Sequence, residues 1–218
     1  MDRLEKPLDS YIDSLTARYP QLLSVREQIV AAYKALESCY TAGGKLLIAG
    51  NGGSAADAEH MVGELMKQFG LPRPVSPEFG EKLTAIDPDR GSLLAQNLHR
   101  ALPAIALSAS GALHTAYCND VDARSVYAQQ VFGYGRPGDV FLALTTSGNS
   151  ENILQAAVVA KAMGIPVIGL TGQEESALSK IADVAVCVPE TETYRVQELH
   201  LPIYHCLCLM LEARFFGE

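Results

Sequence analysis

The chain has 218 residues, of which 48% are apolar, and its 17 basic and 25 acidic side chains give a net charge of −8. That content supports one large buried core, and the acidic balance excludes a broad nucleic-acid surface while leaving room for a small anion held locally. The five cysteines (Cys39, Cys118, Cys187, Cys206, Cys208) have no zinc-finger spacing, no apolar run of about 18 residues spans a membrane, and the first residues lack the core of a signal peptide. Free thiols, a reducing cytoplasm and no membrane partner are therefore expected.

In chain order, residues 8–41 read as two helices, with Ile12, Leu15, Leu22, Val25, Ile29, Tyr33 and Leu36 at helical spacing and Pro20 interrupting them. The apolar stretch Lys45–Ala49 is a strand, followed by a Gly50–Gly53 turn and a helix to about Gln68. Ser54 is the expected N-cap, with Asp57 three residues on as a variant capping box. Residues 70–103, punctuated by Pro72, Pro74, Pro77, Pro88 and Pro103, have weak periodicity. They read as a long connection, with a short helix at 91–100, folded against the core or a neighbouring subunit.

Alternation then returns. Ala104–Leu107 is a strand, 110–118 and 122–133 are helices, and Asp139–Leu144 is a strand. The polar turn Thr145–Ser150 follows, then a helix from Glu151 to Met163, a strand at Val167–Leu170 and a turn at Thr171-Gly172. A short helix at 175–181, a strand at Val184–Val188 and a final helix at about 194–216 complete the chain. Five short, unalternating apolar strands separated by helices predict an α/β fold: a three-layer sandwich around a five-stranded parallel sheet. Ligands in such sheets lie outside the carboxyl ends of the strands, where both glycine turns fall.

Gly50-Asn-Gly-Gly-Ser-Ala55 lacks the lysine of a P-loop. It matches the relaxed dinucleotide pattern G-x-G-x-x-A, but no strand ending in an acidic residue follows. A purely structural turn and a ligand-binding turn stand beside that reading. Thr145-Thr-Ser-Gly-Asn-Ser150 has four hydroxyls at a helix N-terminus, more than capping needs, which suits a phosphate dianion; an ordinary capped turn is the alternative. His60 and Glu64 share a helix face at i, i+4, and Gln197, Leu201 and His205 lie on one ridge of the last helix. Each histidine alone fits a satisfied, partly buried side chain. Two His, a Glu and a Gln together fit a mixed nitrogen–oxygen metal shell, for which zinc is the commonest occupant.

Gly50–Ser54, Thr145–Ser150 and Arg195-Val-Gln-Glu-Leu-His-Leu-Pro-Ile-Tyr-His205 together resemble the sugar isomerase (SIS) fold. Within it the chain is most similar to the phosphoheptose isomerases, from about residue 22 to 212 except for 70–103. The combination of His60, Glu64, Gln197 and His205 is the specific part of the likeness. The resemblance implies one SIS domain over 1–218, with a helical extension at 1–42 and an inserted segment at 70–103. It implies isomerisation of sedoheptulose 7-phosphate to the aldose heptose 7-phosphate, with Glu64 and His205 as the acid/base pair. Asn51, Gly52 and Gly53 would contact the sugar; Ser54, Thr145, Thr146, Ser147 and Ser150 would bind substrate, mainly around the phosphate; Asn119 and Asp120 would meet sugar hydroxyls. His60, Glu64, Gln197 and His205 would hold one zinc per subunit, Gln197 also lining the substrate site, in a homotetramer with shared sites. Two relatives without isomerase activity are alternatives: a scaffold that binds the bacterial replication initiator and lacks the acid/base pair, and a sugar-phosphate-sensing regulator.

Three departures stand out. Pro202 removes a hydrogen bond to the Glu198 carbonyl and is expected to bend the last helix between Gln197 and His205. Segment 70–103 is expected to be longer than in ordinary relatives. Gln68 stands where a basic residue is expected.

Overall fold

The computed structural model describes residues 8–217. Five parallel strands, β1 (Leu46–Gly50), β2 (Ala104–Ala106), β3 (Val140–Leu144), β4 (Val167–Thr171) and β5 (Val184–Cys187), are ordered β2-β1-β3-β4-β5. Ten α-helices are described: α1 (Leu8–Arg18), α2 (Arg26–Thr41), α3 (Gly53–Met66), α4 (Pro77–Ile86), α5 (Pro88–Asn97), α6 (Gly111–Tyr117), α7 (Val126–Tyr134), α8 (Glu151–Ala162), α9 (Ala177–Ile181) and α10 (Thr193–Phe216).

Successive side chains of a strand point to opposite faces, and here both faces are covered. Leu46, Ile48, Leu142, Leu144, Ile168 and Leu170 enter one core with α1, α2, α3 and α10. Leu47, Ala49, Phe141, Ala143 and Val167 enter a second core with α7, α8 and α9. This is why the strands read as continuous apolar runs. The seven periodic residues of the first two helices, Ile12 to Leu36, are all buried, and Pro20 opens a 3₁₀ turn, Pro20–Val25, between them.

The 70–103 region differs from the sequence expectation. It holds two ten-residue helices, α4 and α5, rather than one short helix at 91–100. Its prolines start helices: Pro77 and Pro88 sit at N1, where a missing N–H costs nothing, behind the caps Ser76 and Asp87. The two helices approach closely at Gly91, where an added Cβ would lie 2.3 Å from the Leu83 carbonyl oxygen. Neither buries a large apolar side chain; Phe79, Ile86, Leu93 and Leu94 are exposed.

A buried ion pair fixes the start of this excursion. Arg73 and Glu212 have 0% and 1% of their surface exposed. Glu212 accepts from the N–H groups of Phe69, Gly70 and Leu71 and from Arg73 Nε at 2.8 Å. Arg73 Nη1 and Nη2 donate to the carbonyls of Leu65 and Glu64, capping the C-terminal end of α3. Every buried charge thus has its partners, the condition under which such a pair is tolerated.

The last helix runs unbroken from Thr193 to Phe216 with buried Pro202 inside it. No described helix is long and apolar enough to cross a membrane.

Candidate active site

β1 and β3 are neighbours, but β1 leads to β2 on one side and β3 leads to β4 on the other. That reversal is the switch point at which open parallel sheets bind ligands. Gly50 pairs with Leu144 at the ends of these strands, so both glycine turns leave the sheet at the same level. Asn51, on the first turn, and Asn152, in the first turn of α8, exchange two amide hydrogen bonds of 2.9 Å across the gap.

The first turn corrects one sequence expectation. Ser54 does not cap α3; Gly52 is the N-cap, and Ser54 is buried one residue inside the helix. Asp57 does not close a capping box either. It accepts from the Tyr204 hydroxyl at 3.1 Å. Gly53 lies so close to α10 that a Cβ there would stand 2.7 Å from Gln197 Nε2. Gln197 therefore faces the first turn, as the ridge on the last helix required.

The second turn is not an ordinary capped turn. Ser150 is the N-cap of α8, but its hydroxyl does not cap. It pairs with Thr145 Oγ1 at 3.0 Å. Ser147 is exposed and accepts from the Asn149 N–H. Thr146 is half-buried, and its carbonyl accepts from Gly172 N at 3.0 Å. The positive end of the α8 dipole and N–H groups without intrahelical partners lie beside these hydroxyls.

Residues that sequence reading missed hold this turn from behind. The Gly148 carbonyl accepts from Leu178 N, and Asn149 Oδ1 accepts from Ala177 N, tying the turn to the start of α9. Gly148 has φ of +65°, and a Cβ there would come within 2.1 Å of Ser176 Oγ. Ser176, which caps α9, therefore fixes glycine at position 148 by close contact as well as by backbone conformation. The Ser176–Ser179 capping box was the readable signal for that support.

On the other side of the crevice the titratable groups meet. His60 Nε2 lies 3.3 Å from Glu64 Oε1 and 3.4 Å from His205 Nε2, although 145 residues separate the histidines. Lys67 Nζ lies 3.0 Å from Glu64 Oε2, so a basic group is present one position before Gln68. The Glu64 side chain is 12% exposed and that of His60 is 44% exposed, so the carboxylate is recessed and the imidazole is open to solvent. Burial, then the neighbouring His60, lowers the His205 pKa from its ordinary value, with Glu64 opposing. The Tyr204 hydroxyl also lies 3.0 Å from His60 Nδ1. Burial, followed by nearby Asp57, pushes the Tyr204 pKa upward, so this phenol keeps its proton.

Two nitrogen or oxygen donors on a tetrahedral zinc stand about 3.4 Å apart when each bond is near 2.1 Å. The His60–His205 and His60–Glu64 separations match two such edges. The donor set suits zinc, although no group of three His, Cys, Asp or Glu side chains closes as a cluster among the described residues. The fourth expected donor, the Gln197 amide, lies at the first turn.

Asn119 and Asp120 come from a different element. They are exposed on the π-helical turn after α6 and bond to each other at 2.8 Å. No hydrogen bond joins them to either glycine turn among the described residues.

The SIS domain model matches residues 10–100 and 90–172. A phosphoheptose isomerase of Shewanella baltica is 33% identical over 218 residues, covering 99% of this chain and 98% of that protein. The chain belongs to the phosphoheptose isomerase family of SIS proteins. Another member, from Geotalea daltonii, is 38% identical over 191 residues, covering 88% of this chain and 86% of its own. The solved phosphoheptose isomerase of Francisella tularensis superposes with a TM-score of 0.73 at 33% identity, over 94% of this chain and 95% of that one. The five-stranded parallel sheet flanked by helices is therefore shared with that enzyme across nearly its whole length.

Proposed function

We propose that the protein interconverts sedoheptulose 7-phosphate and the corresponding aldose heptose 7-phosphate. The observation that carries this is the convergence of Glu64, His60 and His205 from α3 and α10. An aldose–ketose shift moves one proton between adjacent carbons and another between their oxygens. Glu64 takes a proton from C1 of the ketose, giving an enediol, and returns it to C2. His205 exchanges protons with O1 and O2, so the carbonyl moves without net gain or loss. The hydroxyls of Thr145, Thr146, Ser147 and Ser150, with the α8 N-terminus, hold the phosphate. Asn51, Gly52, Gly53, Ser54 and Gln197 form the sugar-facing wall, with Asn119 and Asp120 meeting distal hydroxyls.

His60, Glu64, Gln197 and His205 would hold the zinc, which when bound supplies an electrophile for the carbonyl oxygen. The two Glu64 oxygens face different partners, His60 and Lys67, so ligation and proton transfer need not use the same oxygen. The exposed apolar side chains of α4 and α5 favour an assembly of copies of this chain, proposed as a homotetramer with shared sites. The five cysteines are unpaired, in keeping with a reducing cytoplasm. A scaffold or sensor has no use for an acid/base pair, and nothing in the site favours either.

One set of measurements tests this reading. Turnover of sedoheptulose 7-phosphate is expected, with kcat lowered about 10²- to 10⁴-fold in Glu64→Gln and His205→Ala. Chelation is expected to abolish turnover and zinc to restore it, and light scattering is expected to give the mass of four chains. No turnover in the unmodified protein, or turnover in either variant equal to that of the unmodified protein, would reject the isomerase.

A further inference from the structure

The side of His60 that faces away from the crevice is tied to two residues the mechanism does not use. Tyr204 is fully buried, and its hydroxyl has two neighbours, Asp57 Oδ1 at 3.1 Å and His60 Nδ1 at 3.0 Å. A phenol has one proton to donate, and an ionised carboxylate can only accept. Among the described residues no other group donates to the Asp57 side chain. If Tyr204 turned its proton to His60, this half-buried carboxylate would lose its donor, a costly arrangement. The Tyr204 proton therefore goes to Asp57, and the phenol oxygen accepts from Nδ1–H of His60.

We infer that Asp57 and Tyr204 are positioning residues that hold His60 in the Nδ1–H tautomer, leaving a bare Nε2 lone pair aimed at Glu64 and His205. A metal ligand needs that lone pair, and a hydrogen bond at the opposite ring nitrogen is the usual means of fixing it. Without the relay, the recessed Glu64 carboxylate, 3.3 Å from Nε2, would draw the proton to the wrong nitrogen. The Tyr204 ring also stands edge-on to both imidazoles, with centroids 5.5 Å from His60 and 5.0 Å from His205, so it fixes their planes as well as one tautomer. The purpose of this relay rests on the proposed zinc isomerase site; the tautomer itself does not.

The test uses the full-length protein without sugar. Imidazole ¹⁵N spectra of the metal-free protein at pH 8 are expected to show His60 protonated at Nδ1. In Tyr204→Phe, which keeps the ring, the proton is expected to move to Nε2. Chelator competition is expected to show zinc held about 10- to 100-fold more weakly in Tyr204→Phe. Asp57→Asn is expected to weaken it in the same direction, and the double variant to lose little more than Tyr204→Phe alone. An Nε2–H signal from His60 in the unmodified protein, or unchanged zinc affinity in Tyr204→Phe, would overturn the inference. Since neither readout involves turnover, a protein with the expected tautomer and zinc affinity but no isomerase activity would sink the proposed reaction alone.

Discussion

Around the Thr145–Ser150 turn the fixing bonds are mostly main chain: Gly148 to Leu178, Thr146 to Gly172, and Asn149 to the Ala177 N–H. Around Glu64 and His60 they are mostly buried side chains: Arg73 with Glu212, and Tyr204 with Asp57 and His60. The same crevice thus has one wall set by backbone geometry and another set by a few side chains. A wall of the first kind yields to strain and tolerates most changes of side chain. A wall of the second kind can be released by one substitution far from the substrate.

The largest expected effect is at the side-chain wall. Arg73→Leu leaves Glu212 buried without its counter-ion and frees the α3 carbonyls of Glu64 and Leu65. Urea unfolding is expected to show a loss of about 3–5 kcal/mol. Under conditions where the variant is folded, kcat should fall more than KM rises. A fall in phosphate affinity alone would mean that the two walls are not held separately.

His200 sharpens the comparison because it joins both walls. It lies on α10, wholly buried, and its Nε2–H donates to the Thr171 carbonyl, one residue before the glycine that supports the second turn. Burial lowers its pKa from 6.5 to about 4, with the Thr171 bond opposing. The folded protein therefore binds this proton less readily than the unfolded chain. Its contribution is complete above about pH 6.5 and is lost as the pH falls toward 4, by about 3 kcal/mol. Denaturant midpoints at pH 7 and pH 4 measure the loss, and His200→Asn should remove that part of it. An identical acid response in the variant would reject the assignment.

The backbone wall is expected to give the smallest of these effects. Gly148→Ala forces a strained φ and a clash with Ser176, at about 1–3 kcal/mol. KM for the sugar phosphate should rise while kcat changes little. A kcat loss as large as that of Glu64→Gln would show that the two walls act as one.

The backbone wall was also the more legible from sequence. Short apolar strands followed by glycine and hydroxyl residues announce themselves locally, so the sheet and both turns could be placed without coordinates. The i, i+4 spacing of His60 and Glu64 and the ridge from Gln197 to His205 were equally local. That these two helices meet was not local information. Arg73 and Glu212 are 139 residues apart and carry no local signal of pairing, since such charges are ordinarily exposed. Helix α4 escaped notice, and α5 was expected only as a short helix at 91–100, because periodicity reports a buried face and these two bury almost none. Their caps, Ser76-Pro77 and Asp87-Pro88, were the better signal, but prolines there read as breakers. Ser54 looked like an N-cap, yet the cap is Gly52, two residues earlier, which places that hydroxyl inside the helix.

The level pairing of Gly50 with Leu144 makes the sheet a fixed ruler. Adjacent strands stand about 4.8 Å apart in every sheet, so the two turns leave β1 and β3 at a separation that no side-chain replacement can adjust. If the proposed site holds the sugar, reach along it would be set by how far α3 and α10 place His60 and His205 from that origin. In the proposed reaction, substrate chain length would follow from helix placement, and a different reach would arise in the contacts among α3, α10 and the Arg73–Glu212 pair.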